Sequence, residues 1–371
     1  MPTYIPTDQN TTIEWRTESL QKPPVHAVYI REQSAATILK NAYTNTASIW
    51  QGDFHNAKQV LSAIKKRIRK PAKSTIIQQA PAIAFHHHRM QQAQQSRLLN
   101  MLAIEIQPGF QLDLPRAPDI HAALTDIYPH PNEQPFAMPL NLLLGLIGAH
   151  EWHKKGVDIA QIGGKIHVPF GVFSPLRGEY LQLAAEAPLP NQCQTAFDIG
   201  TGSGVLAILL AKRGIPHITA TDTNPNAINC ARRNIEQSGT ARQITLQQTD
   251  LFPEGKADLI ICNPPWLPAK PTSAIETALY DPDHQMLKGF LAGIGKHLNP
   301  QGEAWLIISD LAEHLGLRTP QFLHQSFQTA SLKLLAVHSI KPRHAKAADT
   351  TDPLSFARNQ ETTYLYRLSL T

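Results

Sequence analysis

The stretch Phe197-Asp198-Ile199-Gly200-Thr201-Gly202-Ser203-Gly204 decides how the second half of the chain is read. A short apolar run ends in glycine at every second position, and the apolar residues from Val205 continue as a helix. Glycine at a strand-to-helix turn lets the backbone approach a ligand closely and aims the helix N-terminus at it. The spacing is GxGxG, so the GxGxxG dinucleotide fingerprint is not met. No Gly-Lys-Ser/Thr follows, which excludes a Walker-type phosphate loop.

Working outward, strands are expected at 196–199, 217–221, 243–247, 258–262, 303–309, 333–340 and 363–370. Helices are expected between them at 204–213, 224–237, 283–298 and 319–329. Strand and helix alternating at this period predict an α/β fold, with a Rossmann-like, mostly parallel seven-stranded sheet covered by helices on both faces. Two acids stand at strand ends of this sheet. Asp222 closes the second strand, where a carboxylate can accept from both hydroxyls of a ribose. Asp250 follows the third, with Leu251 and Phe252 beside it, where the edge of an adenine could be bonded and its face covered. Either acid alone reads as a helix cap or solvated loop residue. Together with the glycine turn they mark three successive strand ends, which is where open α/β sheets bind ligands.

The fourth strand runs into Asn263-Pro264-Pro265-Trp266. An amide or exocyclic nitrogen is a poor nucleophile, because its lone pair is delocalised. Two acceptors placed at its two hydrogens favour the tetrahedral shape needed for attack. The Asn263 side-chain oxygen and the Pro264 carbonyl can serve, held rigid by two prolines, and Trp266 offers a flat face for stacking. Taken alone, Asn-Pro-Pro reads equally as a proline-rich turn after a buried strand.

The bulk properties bound the rest. With 371 residues, 42% of them apolar, the chain is long enough for two domains. A mainly helical substrate-recognition domain is expected over residues 1–165 and a catalytic domain over 166–371. In the first half an irregular arm to about residue 30 precedes helices at 34–42, 54–69 (capped by Asp53), 86–103, 119–127 and 140–155, with a proline-punctuated connector over 107–136. A hairpin or strand at 166–173 leads to a helix at 180–187. Net charge is +5, a mild bias toward anionic partners. The basic groups cluster at Lys65, Lys66, Arg67, Arg69, Lys70 and Lys73, and again at Lys341, Arg343, His344 and Lys346. Either is a solvated surface or a phosphate-contacting track. The triplet His86-His87-His88 is not read as a metal site, because adjacent helical residues point about 100° apart. Three cysteines without a CxxC pair suit a reduced cytoplasm. The N-terminus lacks a signal-peptide layout, and the apolar run 140–149 is too short to span a bilayer.

The glycine turn, Asp222, Asp250 and Asn263-Pro264-Pro265-Trp266 together resemble the class I S-adenosylmethionine-dependent methyltransferases, and more narrowly their small-domain branch with an Asn-Pro-Pro-aromatic motif. The resemblance covers about residues 166–310. It implies S-adenosylmethionine lying across the strand ends. Asp198, Gly200, Thr201, Gly202 and Gly204 would face its methionine part, Asp222 its ribose, and Asp250 with Leu251 its adenine. Ser174-Pro175-Leu176-Arg177-Gly178-Glu179 sits where that branch has a segment closing over the cofactor, giving Arg177 and Glu179 a place there. Asn263, Pro264, Pro265 and Trp266 would be catalytic, with Trp266 where the pattern most often has Tyr or Phe. That branch includes enzymes acting on adenine N6, on guanine N2 in ribosomal RNA, and on the glutamine amide of release factors. The first expectation is therefore N-methylation of an exocyclic amine of an RNA (rRNA) base. The second is N5-methylation of a glutamine in a protein such as a release factor, and the third a non-catalytic RNA-binding protein on a decayed methyltransferase fold. No metal and no membrane partner is expected.

Overall fold

The first thirty residues, expected as an irregular arm, instead supply three strands. The computed structural model describes residues 2–69, 80–176, 178–342 and 352–371. It divides into two compact units. One comprises Met1–Gln79, His86–His153 and Thr272–Ala274; the other comprises Ala80–Phe85, Lys154–Pro271 and Ile275–Thr371.

The first unit contains, in chain order, β1 (Thr3–Pro6), β2 (Thr12–Trp15), β3 (His26–Ile30), α1 (Ala35–Tyr43), β4 (Thr46–Trp50), α2 (Phe54–Ile68), α3 (Pro81–Leu99) from His86 on, β5 (Leu102–Ile106), α4 (His121–Thr125), β6 (Phe136–Pro139) and α5 (Leu140–Lys155) as far as His153. Its strands form one six-stranded mixed sheet in the order β1-β2-β6-β5-β4-β3. Asp8 N–H donates to the Ala27 carbonyl at 3.1 Å, so the two outer strands meet where the sheet curls round. The mainly helical description of this region is corrected accordingly: helices cover it, but a sheet organises it. The strands escape periodicity because they are only four or five residues long. The inner ones, β4 and β5, are buried on both faces, so they read as apolar runs without alternation. Leu102 and Ala103, expected at the end of a helix, open β5. The helices themselves follow their sequence signals. Asp53 caps α2 by accepting from the N–H groups of His55 (2.8 Å) and Asn56 (3.2 Å), and Phe54, Ala57, Leu61 and Ile64 form the buried stripe. Of the basic cluster after it, Lys70 and Lys73 lie outside the described residues, as do Arg343, His344 and Lys346.

The second unit opens with a hairpin of β7 (Val157–Ile159) and β8 (Gly164–Ile166), earlier than the expected 166–173. Then follow α6 (Glu179–Glu186), β9 (Thr195–Ile199), α7 (Val205–Lys212), β10 (His217–Asp222), α8 (Pro225–Gln237), β11 (Ile244–Gln248), β12 (Ala257–Cys262), α9 (Gln285–His297), β13 (Leu298–Ser309), α10 (Leu311–His314), α11 (Phe322–Thr329), β14 (Leu332–Ile340), α12 (Ser355–Arg358) and β15 (Thr363–Leu370). All seven strands read from the sequence form one sheet, ordered β11-β10-β9-β12-β13-β15-β14, in which β15 alone runs opposite to the other six. Strand residues alternate between two cores. Ala196, Leu259, Ile261, Trp305 and Ile307 pack under α6, α7 and α8; Phe197, Ile260, Ala304, Leu306 and Ile308 pack under α9 and α11. The chain builds outward from β9 to β11, then returns to lay β12 on the other side of β9. The C-terminal ends of β9 and β12 thus flank the point where the winding reverses, the usual crevice of such sheets. No helix among the described residues is long and apolar enough to cross a membrane.

Candidate functional site

The register pairs Cys262 with Ile199, so the two decisive motifs leave adjacent strands side by side: glycines after Ile199, Asn-Pro-Pro-Trp after Cys262. The glycine turn is held from within. Asp198 is fully buried, and its Oδ2 accepts from the Thr201 hydroxyl (2.6 Å) and the Ala207 N–H (3.1 Å). One carboxylate thereby ties the turn to the first turn of α7. Its Oδ1 has no hydrogen-bond partner among the described residues, and burial pushes the carboxyl up to about 7. Two of the glycines are demanded by the backbone. Gly200 sits at φ +72°, where a side chain is strained, and a Cβ there would also displace the flexible Met286 methyl at 2.6 Å; at φ +82° one on Gly204 would press on Ala231 of α8 at 3.1 Å. By contrast, a Cβ placed on Gly202 would meet nothing within 4 Å, so the middle of the turn faces open space.

Asp222, at the end of β10, locks this turn to its neighbour. Its Oδ2 accepts from Gly202 N–H at 3.0 Å and its Oδ1 from Asn224 N–H at 2.9 Å. Burial raises its carboxyl from the ordinary value. The backbone N–H groups of Asn224, Gly202 and Thr223 all act on this carboxylate and offset part of that rise. Asp250 is exposed just past β11. Leu251 sits at φ +55°; its carbonyl accepts from the Thr221 hydroxyl at 2.6 Å, and its side chain lies where a Cβ on Gly289 would fall. Phe252 does not flank Asp250 as a cover. Its ring is stacked on Phe290 (6.0 Å) and His297 (4.6 Å), inside the packing of α9. Arg177 lies outside the described residues.

Beyond β12, Pro264 is buried, while Asn263, Pro265 and Trp266 are half-buried. The Trp266 indole N–H donates to Asn263 Oδ1 at 2.9 Å. An indole nitrogen only donates, so this bond fixes which end of the Asn263 amide faces it. The remainder of the Trp266 ring packs on the core beneath α9.

Two residues that sequence reasoning missed, Asp281 and His284, close the same end of the sheet. Asp281 N–H donates to the Leu267 carbonyl at 2.9 Å, holding segment 280–286 against the residue that follows Trp266. The buried Asp281 carboxylate accepts from Met286 and Leu287 N–H, each at 3.0 Å, and so caps α9. This cap moves the helix start from the expected 283 to Gln285; an acid four residues ahead of a helix is too common a pattern to betray it. His284 is 6% exposed, at φ +56°, with both ring nitrogens buried and without a hydrogen-bond partner among the described residues. Burial, aided by the cations of Arg318 and Lys288, lowers its imidazole to about 4. A folded value below the unfolded one means that the unfolded chain takes up a proton first as pH falls. The stability tied to neutral His284 is therefore present above about pH 6.5 and lost toward pH 4. His284→Gln, which cannot titrate, should gain about 3 kcal/mol on the wild type between those pH values. Urea unfolding at a series of pH values measures it; parallel curves for the two proteins would remove His284 as a buried neutral group.

The cysteines offer no nucleophile. Burial pushes the Cys193 thiol up to about 11 and Cys230 up to about 12, and raises Cys262 well above its ordinary value.

Residues 171–334 match the family model of the methyltransferase small domain. Among curated proteins, the chain is 35% identical to the release factor glutamine methyltransferase of Cereibacter sphaeroides over 138 residues, 33% of this chain and 49% of that protein. It is 34% identical to the tRNA1(Val) (adenine(37)-N6)-methyltransferase of Shewanella loihica over 145 residues, 36% of this chain and 59% of that protein. It is 38% identical to the ribosomal protein uL3 glutamine methyltransferase of Neisseria gonorrhoeae over 120 residues, 29% of this chain and 40% of that protein. The chain thus spans about half the length of the curated relatives it matches.

Proposed function

We propose that this chain, whose residues 171–334 match a methyltransferase small domain, is an S-adenosylmethionine-dependent N-methyltransferase acting on a planar amino nitrogen. The observation that carries the reading is the pairing of Cys262 with Ile199, which sets Asn-Pro-Pro-Trp beside the glycine turn. The residues suit the cofactor: the turn opens to free space at Gly202, and the Asp222 carboxylate stands at the end of the adjacent strand, where it would accept from a ribose hydroxyl. The methyl is supplied on a sulfonium that leaves as a neutral thioether, so no strong base is required of the protein. Asp198 shapes the turn rather than touching the ligand, since its carboxylate faces inward. Asp250 and Leu251 border the adenine.

At the acceptor side, Asn263 Oδ1 and the Pro264 carbonyl take the two hydrogens of the substrate amine. This draws its nitrogen toward a tetrahedral shape with the lone pair free for attack. Pro264 and Pro265 hold the two acceptors still, and the alignment of nitrogen, methyl and sulfur supplies most of the rate. Trp266 does more than stack: its N–H holds the Asn263 oxygen in place, and the second lone pair of that oxygen is the one offered to the substrate. Trp266→Phe should lower kcat by about three- to tenfold, the worth of one hydrogen bond, with cofactor affinity unchanged. An unaltered kcat would leave stacking as the only role for the ring.

The substrate we infer first is an exocyclic amine of an RNA base, supported by the basic balance of the chain and by the tRNA adenine methyltransferase among its relatives. The second reading, a protein glutamine amide, is supported by glutamine methyltransferases of similar identity. We place the protein in the cytoplasm, in keeping with its three free thiols. Tritiated S-adenosylmethionine added with the protein to a lysate of cells lacking it separates the two substrates. Label in the RNA fraction supports the base; label in a protein band replaces it with the glutamine.

A further inference from the structure

The first unit holds a side-chain cluster unrelated to methyl transfer. In the sequence His150-Glu151-Trp152-His153 the two histidines are three apart on α5, which makes them neighbours on one helical face. Both reach the residue that ends α4, Asp126. His150 Nδ1 lies 2.7 Å, and His153 Nδ1 3.0 Å, from the same Asp126 oxygen, Oδ2. The three ligand-type atoms all fall within 4.8 Å of one another.

Two features single this cluster out from an ordinary ion pair. An acid at the C-terminal end of a helix faces the negative end of the dipole and needs a cation nearby. Among the described residues the ion-pair partners of Asp126 are these two imidazoles alone, neither carrying a fixed charge. Moreover, imidazoles that served only to pair the carboxylate would gain by taking one oxygen each. Here both converge on one oxygen, leaving two nitrogens and an oxygen around a single point. The side chains are 15–17% exposed, sunk enough to shield a ligand and open enough to admit one.

We propose that Asp126, His150 and His153 bind one divalent first-row transition metal, of which zinc is the type, tying the end of α4 to the last turns of α5. Two imidazole nitrogens with one carboxylate oxygen suit such a borderline ion, whereas calcium and magnesium call for all-oxygen sets. Bonds of about 2.0–2.2 Å in a tetrahedral arrangement hold ligand atoms about 3.3 Å apart, so the two nitrogen–oxygen contacts, at 2.7 and 3.0 Å, open by a few tenths of an ångström while the two nitrogens, within 4.8 Å, draw to that separation. The site is distinct from His86-His87-His88, whose imidazoles diverge around their helix.

The test uses the full chain, stripped with a chelator and titrated with Co(II), whose visible absorption reports tetrahedral nitrogen–oxygen coordination. One equivalent should bind with that signature and be displaced by Zn(II). His150→Ala and His153→Ala should each weaken binding by at least the roughly 10–100-fold that loss of a mere outer-shell partner costs. Asp126→Asn, which keeps the shape and loses the charge, should weaken it too, with circular dichroism confirming that each variant is folded. A triple H86A/H87A/H88A variant should bind as the wild type does. Substoichiometric or purely octahedral cobalt, full binding in both single histidine variants, or loss of binding in the triple variant would each overturn the proposal.

Discussion

Asn263→Ala is expected to lose methyl transfer by about 10²–10³-fold, the usual cost of removing one preorganised polar group aimed at the reacting centre. Its cofactor affinity should stay at the wild-type value. The substitution removes the acceptor for one substrate hydrogen and leaves the Pro264 carbonyl, the glycine turn and Asp222 in place. It also strips the Trp266 indole N–H of its partner, which sits 2.9 Å from Asn263 Oδ1. Comparison with Trp266→Phe separates the two effects: if only the tryptophan bond mattered, both variants would show the same small loss. Single-turnover rates with saturating cofactor, alongside calorimetric binding of S-adenosylmethionine, provide the check. A fall in cofactor affinity equal to the fall in rate would move Asn263 from the acceptor side to the cofactor side.

The second large effect belongs to Asp222→Ala, which should weaken S-adenosylmethionine binding by roughly tenfold to a hundredfold, about 1–3 kcal/mol. Two losses combine. The carboxylate proposed to accept from the ribose goes, and the N–H groups of Gly202 and Asn224 lose their acceptor, so the turn after β9 is no longer fastened to the end of β10. Asp222→Asn distinguishes them, because it keeps one oxygen for the backbone while losing the charge. An affinity midway between wild type and alanine is expected for it. Calorimetry on the three proteins decides, and an unchanged affinity in Asp222→Ala would take the residue out of the site.

Why the second unit was legible and the first was not follows from strand length and burial. β9, β10 and β12 are five or six residues long, and each is closed by a residue whose type has a mechanical reason, namely Gly200, Asp222 and Asn263. Punctuation of that kind survives even though both faces are buried. β6, only Phe136–Pro139 and buried throughout, carries no alternation, and Pro135 before it and Pro139 at its end read as part of the proline-rich connector, so the six-stranded sheet went unseen with it. In the site itself, the strand-end residues could be read because they stand in sequence beside the strands they end. The bond from Trp266 to Asn263 could not, since it depends on a rotamer. Asp281 and His284 were missed because their roles arise from segment 280–286 folding back on Leu267, a contact no local pattern announces. His150 and His153 stood at readable spacing, but Asp126 joins them from 24 residues away.

The most direct measurement is the chemical identity of the methylated product. The protein is incubated with labelled S-adenosylmethionine and its substrate fraction, the product is digested to nucleosides and amino acids, and the labelled species is identified by mass. The label should sit on an amino nitrogen, as an N-methylated base or as N5-methylglutamine, and should be absent when Asn263→Ala is used. Label on carbon or oxygen, or undiminished label with the variant, would contradict amine activation at Asn-Pro-Pro-Trp.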